Sequence, residues 1–322
     1  MDIKTYLSDP KALLVLDGAL ATELEARGCD LADPLWSGKV VLENPSLVYD
    51  VESHYLQSGA RCLITASYQL TPQSLMKHRG LSEAEAVETI ECTVQIAQQA
   101  RDIFLNGWSE SHKPRVFIAG SVGPYGACLG DGSEYTGAYT KDPEVLKAFH
   151  RTRITALLKA GVDFLAIETQ PSAAEVLALL DLLRDEFPQA LAFVSFTIDT
   201  TDSHKLCDGT ELTEIMPRLN ASEQIFAVGT NCVALTQCSE ILKHMATLTK
   251  KPLVAYPNSG ELYDAHDKKW HKGTTATHNI AKECEEWAQM GTRLIGGCCR
   301  TKPKDIADIT ANLMRLGFHC DQ

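Results

Sequence analysis

The 322-residue chain has no run approaching the roughly 20 apolar residues that a membrane span requires. Positive charge is short: 30 Lys and Arg stand against 42 Asp and Glu, a formal net charge of −12. That balance argues against nucleic acid or an anionic membrane surface as the main partner. The opening residues Met1-Asp2-Ile3-Lys4-Thr5-Tyr6 show no basic stretch followed by an apolar core, so no secretory signal is expected. G-x-S-x-G, P-loop and G-x-G-x-x-G motifs are all missing, which removes three common catalytic and nucleotide-binding signatures. Ten histidines show no ligand spacing; His54, His266, His271 and His278 read as surface or solvated side chains. No low-complexity linker interrupts the chain, so one domain over residues 1–322 is expected.

Cysteine, by contrast, is plentiful. Eleven cysteines, an odd count without a signal, fit the reducing cytosol rather than a disulfide framework. Apolar residues make up 44%, enough for a large core. They are gathered in eight short runs: Leu13 to Asp17, Cys62 to Tyr68, Val116 to Val122, Phe164 to Glu168, Leu191 to Ile198, Ile225 to Cys232, Leu253 to Tyr256 and Arg293 to Cys298. Nearly continuous apolar strands are the mark of parallel strands covered on both faces. Helix-like stretches follow most of them. Leu47, Val51 and Tyr55 keep four-residue spacing, Asp142-Pro143 reads as a helix start, Ser172 as a cap, and Pro303 opens a helix whose inner face carries Ile306, Ile309 and Leu313. Gly59, Gly161 and Gly291 each end a helix before a polar residue and an apolar strand. Eight strand–helix units predict an α/β fold, a single (β/α)8 TIM-type barrel. Two long loops, Tyr125 to Tyr139 and Gly260 to Thr277, are expected over its C-terminal face.

In such a barrel the chemistry lies at the carboxyl ends of the strands. Those positions here hold Asp17, Ser67, Tyr68, Ser121, Glu168, Thr197, Asn231, Cys232, Asn258, Cys298 and Cys299. Cys232, Cys298 and Cys299 form a three-thiolate set suited to zinc, which leaves the fourth tetrahedral position open to a thiol substrate. Gly296 and Gly297 would let the backbone turn sharply and bring both sulfurs to one ion. The vicinal pair also fits two small residues packed under a Gly-Gly turn. Asp17 and Glu168 close their strands as carboxylates, costly unless they meet a cation or donors. Two at one rim suit an α-ammonium group, although Asp17 also fits a helix cap.

At these residues the chain resembles the zinc-dependent homocysteine S-methyltransferases, in particular those that use S-methylmethionine or S-adenosylmethionine. The resemblance runs through Leu16-Asp17-Gly18-Ala19, Ile64-Thr65-Ala66-Ser67-Tyr68, Ala119-Gly120-Ser121-Val122-Gly123-Pro124-Tyr125, Glu168-Thr169, Gly229-Thr230-Asn231-Cys232, Tyr256-Pro257-Asn258-Ser259-Gly260 and Gly296-Gly297-Cys298-Cys299-Arg300. It implies zinc on Cys232, Cys298 and Cys299, with Asp17 and Glu168 on the amino group of homocysteine and the segment around Ser67 near its carboxylate. Gly18 and Asn231 complete the expected substrate site. Trp36, Tyr68, Tyr125 and Tyr135 are candidates to receive a sulfonium donor by cation–π contact, or else pack the barrel mouth. Betaine-using relatives carry an additional C-terminal arm and methionine synthases carry folate and cobalamin modules. The chain as given has neither, so a small diffusible sulfonium is the expected donor. The protein is expected to be cytoplasmic, and a monomer or weak homodimer. Rival readings are a betaine-type methyltransferase, another zinc lyase or hydrolase, and a redox-sensing barrel.

Overall fold

In the computed structural model, which describes residues 1–259, 262–264, 269–271 and 279–320, every one of the eight apolar runs contains a strand. These are β1 (Leu14–Val15), β2 (Cys62–Ile64), β3 (Phe117–Val122), β4 (Phe164–Gln170), β5 (Ala192–Phe196), β6 (Ile225–Asn231), β7 (Leu253–Tyr256) and, after a small antiparallel hairpin of β8 (Leu262–Asp264) and β9 (Lys269–His271), β10 (Thr292–Ile295). The barrel strands are parallel and ordered β1-β10-β7-β6-β5-β4-β3-β2. A bridge between Leu16 and Cys62 joins the two ends. Arg61 N–H donates to Val15 O at 2.8 Å and Asp17 N–H to Cys62 O at 3.0 Å, so the sheet closes into a (β/α)8 barrel.

Alternate residues of each strand enter different cores, which is why the runs are apolar throughout. Leu14, Leu16, Phe117, Phe164, Phe193, Val254 and Leu294 point into the barrel. Leu13, Val15, Ile118, Leu165, Val194 and Val228 pack outward beneath the helices. Inside, Phe164 stacks edge-on with Phe226 at 5.1 Å and Phe117 meets Tyr6 at 5.4 Å. Tyr6 belongs to the short N-terminal helix Ile3–Tyr6, which helps fill the amino end of the barrel.

Helix punctuation follows the sequence closely. Gly59, Gly161 and Gly291 all have positive φ (107°, 93° and 99°), the conformation that reverses the chain from helix to strand. Asp142 accepts from Glu144 N–H at 2.8 Å to start the helix Pro143–Ala160. Helix Pro303–Arg315 buries Ile306, Ile309 and Leu313. Ser172 makes no capping bond; Asp208 accepts from Ala173 N–H at 2.8 Å and caps that helix instead. Several strands stop short of the carboxyl ends of their runs, β2 and β10 by the most. Beyond Ile64 and Ile295 the strands give way to single backbone bonds, such as Thr65 N–H to Ala119 O (2.9 Å) and Gly296 N–H to Ala255 O (3.0 Å), and Ile64 N–H itself is taken by the Asp17 carboxylate.

Segment Tyr125 to Tyr139 is a loop of two tight turns, Tyr125–Leu129 and Ser133–Tyr135. Most of Gly260 to Thr277, with His266 and the neighbouring His278, lies outside the described residues. Among the described residues no helix is long and apolar enough to cross a membrane.

Candidate active site

The carboxyl ends of the strands open into a cavity of ≈ 180 Å³. Asp17, Gly18, Trp36, Tyr68, Tyr135, Glu168, Cys232, Cys298 and Cys299 all line it, and so do Ser121, Thr169, Tyr256 and Arg300. Among the described residues four non-glycine residues have positive φ: Trp36 (46°), Thr169 (59°), Cys232 (54°) and Arg300 (68°). Every one of them lines this cavity. Such conformations cost about 1–3 kcal/mol each and persist only where their surroundings enforce them.

The cysteines meet because three strand ends are stitched together. Cys232 N–H donates to Tyr256 O at 3.2 Å, Gly297 N–H to Asp17 O at 3.2 Å, and Cys298 N–H to Pro257 O at 2.8 Å. Gly296 and Gly297 serve a different purpose from the sharp turn expected of them. Neither has positive φ; a Cβ on Gly296 would lie 2.6 Å from the Leu16 side chain, and one on Gly297 2.4 Å from Thr301 Oγ1. Gly296 allows close approach to Leu16 at the end of β1, and Gly297 close packing of Thr301. The three Sγ atoms lie within 4.8 Å of one another, with Cys232 and Cys299 at 3.6 Å. In a tetrahedral zinc site with Zn–S bonds of about 2.3 Å, sulfur atoms sit about 3.8 Å apart. The donor set therefore fits that ion in both chemistry and spacing. Hydrogen bonds from Cys298 and Cys299 push the Cys232 thiol well below the ordinary thiol range, while both donor thiols are pushed up by the same contacts.

Two buried carboxylates line the same cavity. Asp17 Oδ2 accepts from Ile64 N–H at 2.9 Å, and helix Leu20–Ala26 begins without a side-chain cap, so Asp17 does not cap it. Burial raises Asp17 well above the usual carboxylate range, with repulsion from Glu168 adding to the rise. Glu168 takes a very short hydrogen bond from Ser121 Oγ and a 3.1 Å bond from Tyr256 Oη. Burial pushes its pKa up to about 7 against those donors. Neither carboxylate has an ion-pair partner among the described residues, so the rim holds two acids awaiting a cation.

The remaining expected residues divide. Ser67 is buried off the cavity, donating to Ser121 O at 2.9 Å, and its neighbours Thr65, Ala66 and Tyr68 provide the lining. Asn231 also lies behind the wall. Its Oδ1 accepts from Thr169 N–H and its Nδ2 donates to Thr169 Oγ1, both at 2.8 Å, which clamps Thr169 in its left-handed conformation. The Tyr125 ring packs on Phe149 (4.9 Å) and Tyr139 (5.6 Å), outside the lining. Tyr135 reaches inward, its hydroxyl 3.4 Å from Cys232 Sγ.

Sequence reasoning missed the support beneath the Tyr125 to Tyr139 loop. Fully buried Arg153 donates to Tyr68 O (3.0 Å), Gly123 O (2.5 Å) and His150 Nδ1 (2.8 Å). His150 Nε2 lies 2.7 Å from Glu175 Oε1, which also accepts from Tyr125 N–H at 2.6 Å; Tyr139 Oη donates to the other Glu175 oxygen. No local motif marks these helix residues, since their partners come from other segments.

Comparison with known proteins places this geometry in context. The sequence model of the family "Homocysteine S-methyltransferase" matches residues 14–313. The Homocysteine S-methyltransferase of Escherichia coli is 48% identical over 305 residues, covering 95% of this chain and 96% of that protein. Homocysteine S-methyltransferase YbgG of Bacillus subtilis is 44% identical over 310 residues, covering 95% and 96%. A solved structure, the metallated form of the homocysteine methyltransferase MmuM from Escherichia coli, superposes with a TM-score of 0.84 at 46% identity, covering 95% of this chain and 98% of that one.

Proposed function

The chain belongs to the homocysteine S-methyltransferase family, and from that membership we propose that it methylates homocysteine to methionine with a sulfonium donor, S-methylmethionine or S-adenosylmethionine. The observation that carries this reading is that three clustered thiols and two buried carboxylates line one cavity. Cys232, Cys298 and Cys299 would hold a zinc ion, which when bound supplies the Lewis acidity that keeps an incoming thiol ionised near neutral pH.

The chain's own groups do the rest. Asp17 and Glu168 accept hydrogen bonds from the homocysteine ammonium, whose charge also relieves their mutual repulsion. Ser121 and Tyr256 hold the Glu168 carboxylate in place. Gly18 lines the cavity, and the space a side chain there would need is taken by Tyr55 and Thr301. Asn231 acts through Thr169, keeping the wall in shape. Trp36, Tyr68 and Tyr135 offer aromatic faces to the donor's positive sulfur. In the transfer, the homocysteine thiolate forms a new S–CH3 bond as the donor's S–CH3 bond breaks. The electron pair returns to the donor sulfur, which leaves as a neutral thioether. No proton moves in that step, so no general acid is required, in keeping with a cavity lining that has no histidine among the described residues. Alignment of the two sulfurs and the methyl supplies the acceleration.

A donor panel tests this. Purified protein with homocysteine and, separately, S-methylmethionine, S-adenosylmethionine, betaine or methyltetrahydrofolate should form methionine with a sulfonium donor. Preferential turnover of betaine would overturn the assignment.

A further inference from the structure

The proposed reaction brings two α-amino acids into one cavity, and the lining holds two sets of charged groups. Asp17 and Glu168 form the inner set. The outer set is Glu25 and Arg300, whose Oε2 and Nη1 atoms are 3.7 Å apart and whose side chains are 49% and 30% exposed. Arg300 is the only cationic side chain among the described lining residues. Building on the methyl-transfer reading, we infer that Glu25 and Arg300 form a subsite for the α-amino-acid head of the sulfonium donor, with Arg300 on its carboxylate and Glu25 on its ammonium.

Three observations converge on this. First, the charge pattern matches: one cation and one anion side by side complement a zwitterion, whereas two carboxylates complement an ammonium alone. A guanidinium grips a carboxylate through two parallel N–H donors. Second, the Glu25–Arg300 contact is longer than a hydrogen bond and partly open to solvent, so this contact contributes little to folding. Third, the chain is strained to put Arg300 there. Its φ of 68° is paired with a hydrogen bond from its N–H to Thr22 Oγ1 at 3.1 Å. Thr22 and Glu25, three residues apart in helix Leu20–Ala26, share the face that lines the cavity. One helix face thus fixes the Arg300 backbone and partners its side chain. Arg300 directly follows Cys299, and a head held there is linked to the donor sulfur by two methylenes, which places the sulfonium toward the thiol cluster. S-methylmethionine and S-adenosylmethionine share this head, so the subsite serves both.

The test crosses two changes. Donor kcat/KM is measured at saturating homocysteine for wild type and Arg300→Ala, using S-methylmethionine and its carboxamide, in which the carboxylate is masked. Arg300→Ala should lower kcat/KM for S-methylmethionine roughly 10- to 100-fold through the donor KM. The carboxamide should be used equally by both proteins. Arg300→Lys should recover part of the loss, and homocysteine KM and bound metal should stay at wild-type values. Equal losses with both donors, or a loss confined to homocysteine KM, would overturn the subsite. If wild type forms no methionine, the methyl-transfer reading fails by itself. Calorimetry then decides the subsite: S-methylmethionine binding to wild type and not to Arg300→Ala supports it, and equal binding overturns it.

Discussion

Glu168 is a buried carboxylic acid poised to titrate near neutrality. Its pKa of about 7, against an ordinary 4.5, arises chiefly from burial. Between those two values the native state holds a proton that the unfolded chain has released, so folding stability falls as pH rises through that window and levels off above it. The rise is worth on the order of a few kcal/mol. The melting temperature of substrate-free wild type, relative to Glu168→Gln, should therefore decline between pH 5 and 7.5; a constant difference would contradict the assignment. Homocysteine should lower this pKa, because its ammonium favours the ionised form. Glu168, Asp17 and the three cysteines were legible in the sequence because each interrupts or ends an apolar run. Asn231 was legible as a rim residue, yet its clamp on Thr169 depends on how far β4 extends. Glu25 gave no local signal, since it looks like an ordinary helix-surface acid, and the positive φ of Thr169 is invisible before folding.

Among the elements, the loop Tyr125 to Tyr139 depends most on a remote support. Glu175 holds its start through Tyr125 N–H and its end through Tyr139 Oη, and His150 and Arg153 tie that carboxylate to Tyr68 and Gly123. Replacing Glu175 with Gln puts a donor amide where acceptor oxygens serve three donors. The expected cost is about 3–5 kcal/mol, the range for breaking a buried ionic network. Hydrogen exchange should quicken in residues 125–139 and remain slow in helix Pro303–Arg315; unchanged exchange in the loop would refute the strut. Strands were easier to read than this network because burial on both faces writes itself as a continuous apolar run. Their ends were less clear. The runs of β2 and β10 continue apolar past the strands, where Ala66 and Cys298 line the cavity.

At the scale of the molecule, the barrel is the device that makes a site from distant sequence. Cys232 and Cys299 are separated by 67 positions along the chain and by 3.6 Å in space. Only closure of the sheet, with β10 seated between β1 and β7, brings the Cys298–Cys299 turn against the end of β6 and into one cavity with Asp17 and Glu168. This arrangement underlies the central claim that the three sulfurs hold a zinc ion and leave a position for the homocysteine sulfur. X-ray absorption at the zinc edge, on zinc-loaded protein before and after homocysteine is added, tests it most directly. The account predicts three sulfur neighbours at about 2.3 Å rising to four; zinc without that sulfur set, or a sulfur count that homocysteine leaves unchanged, would contradict it.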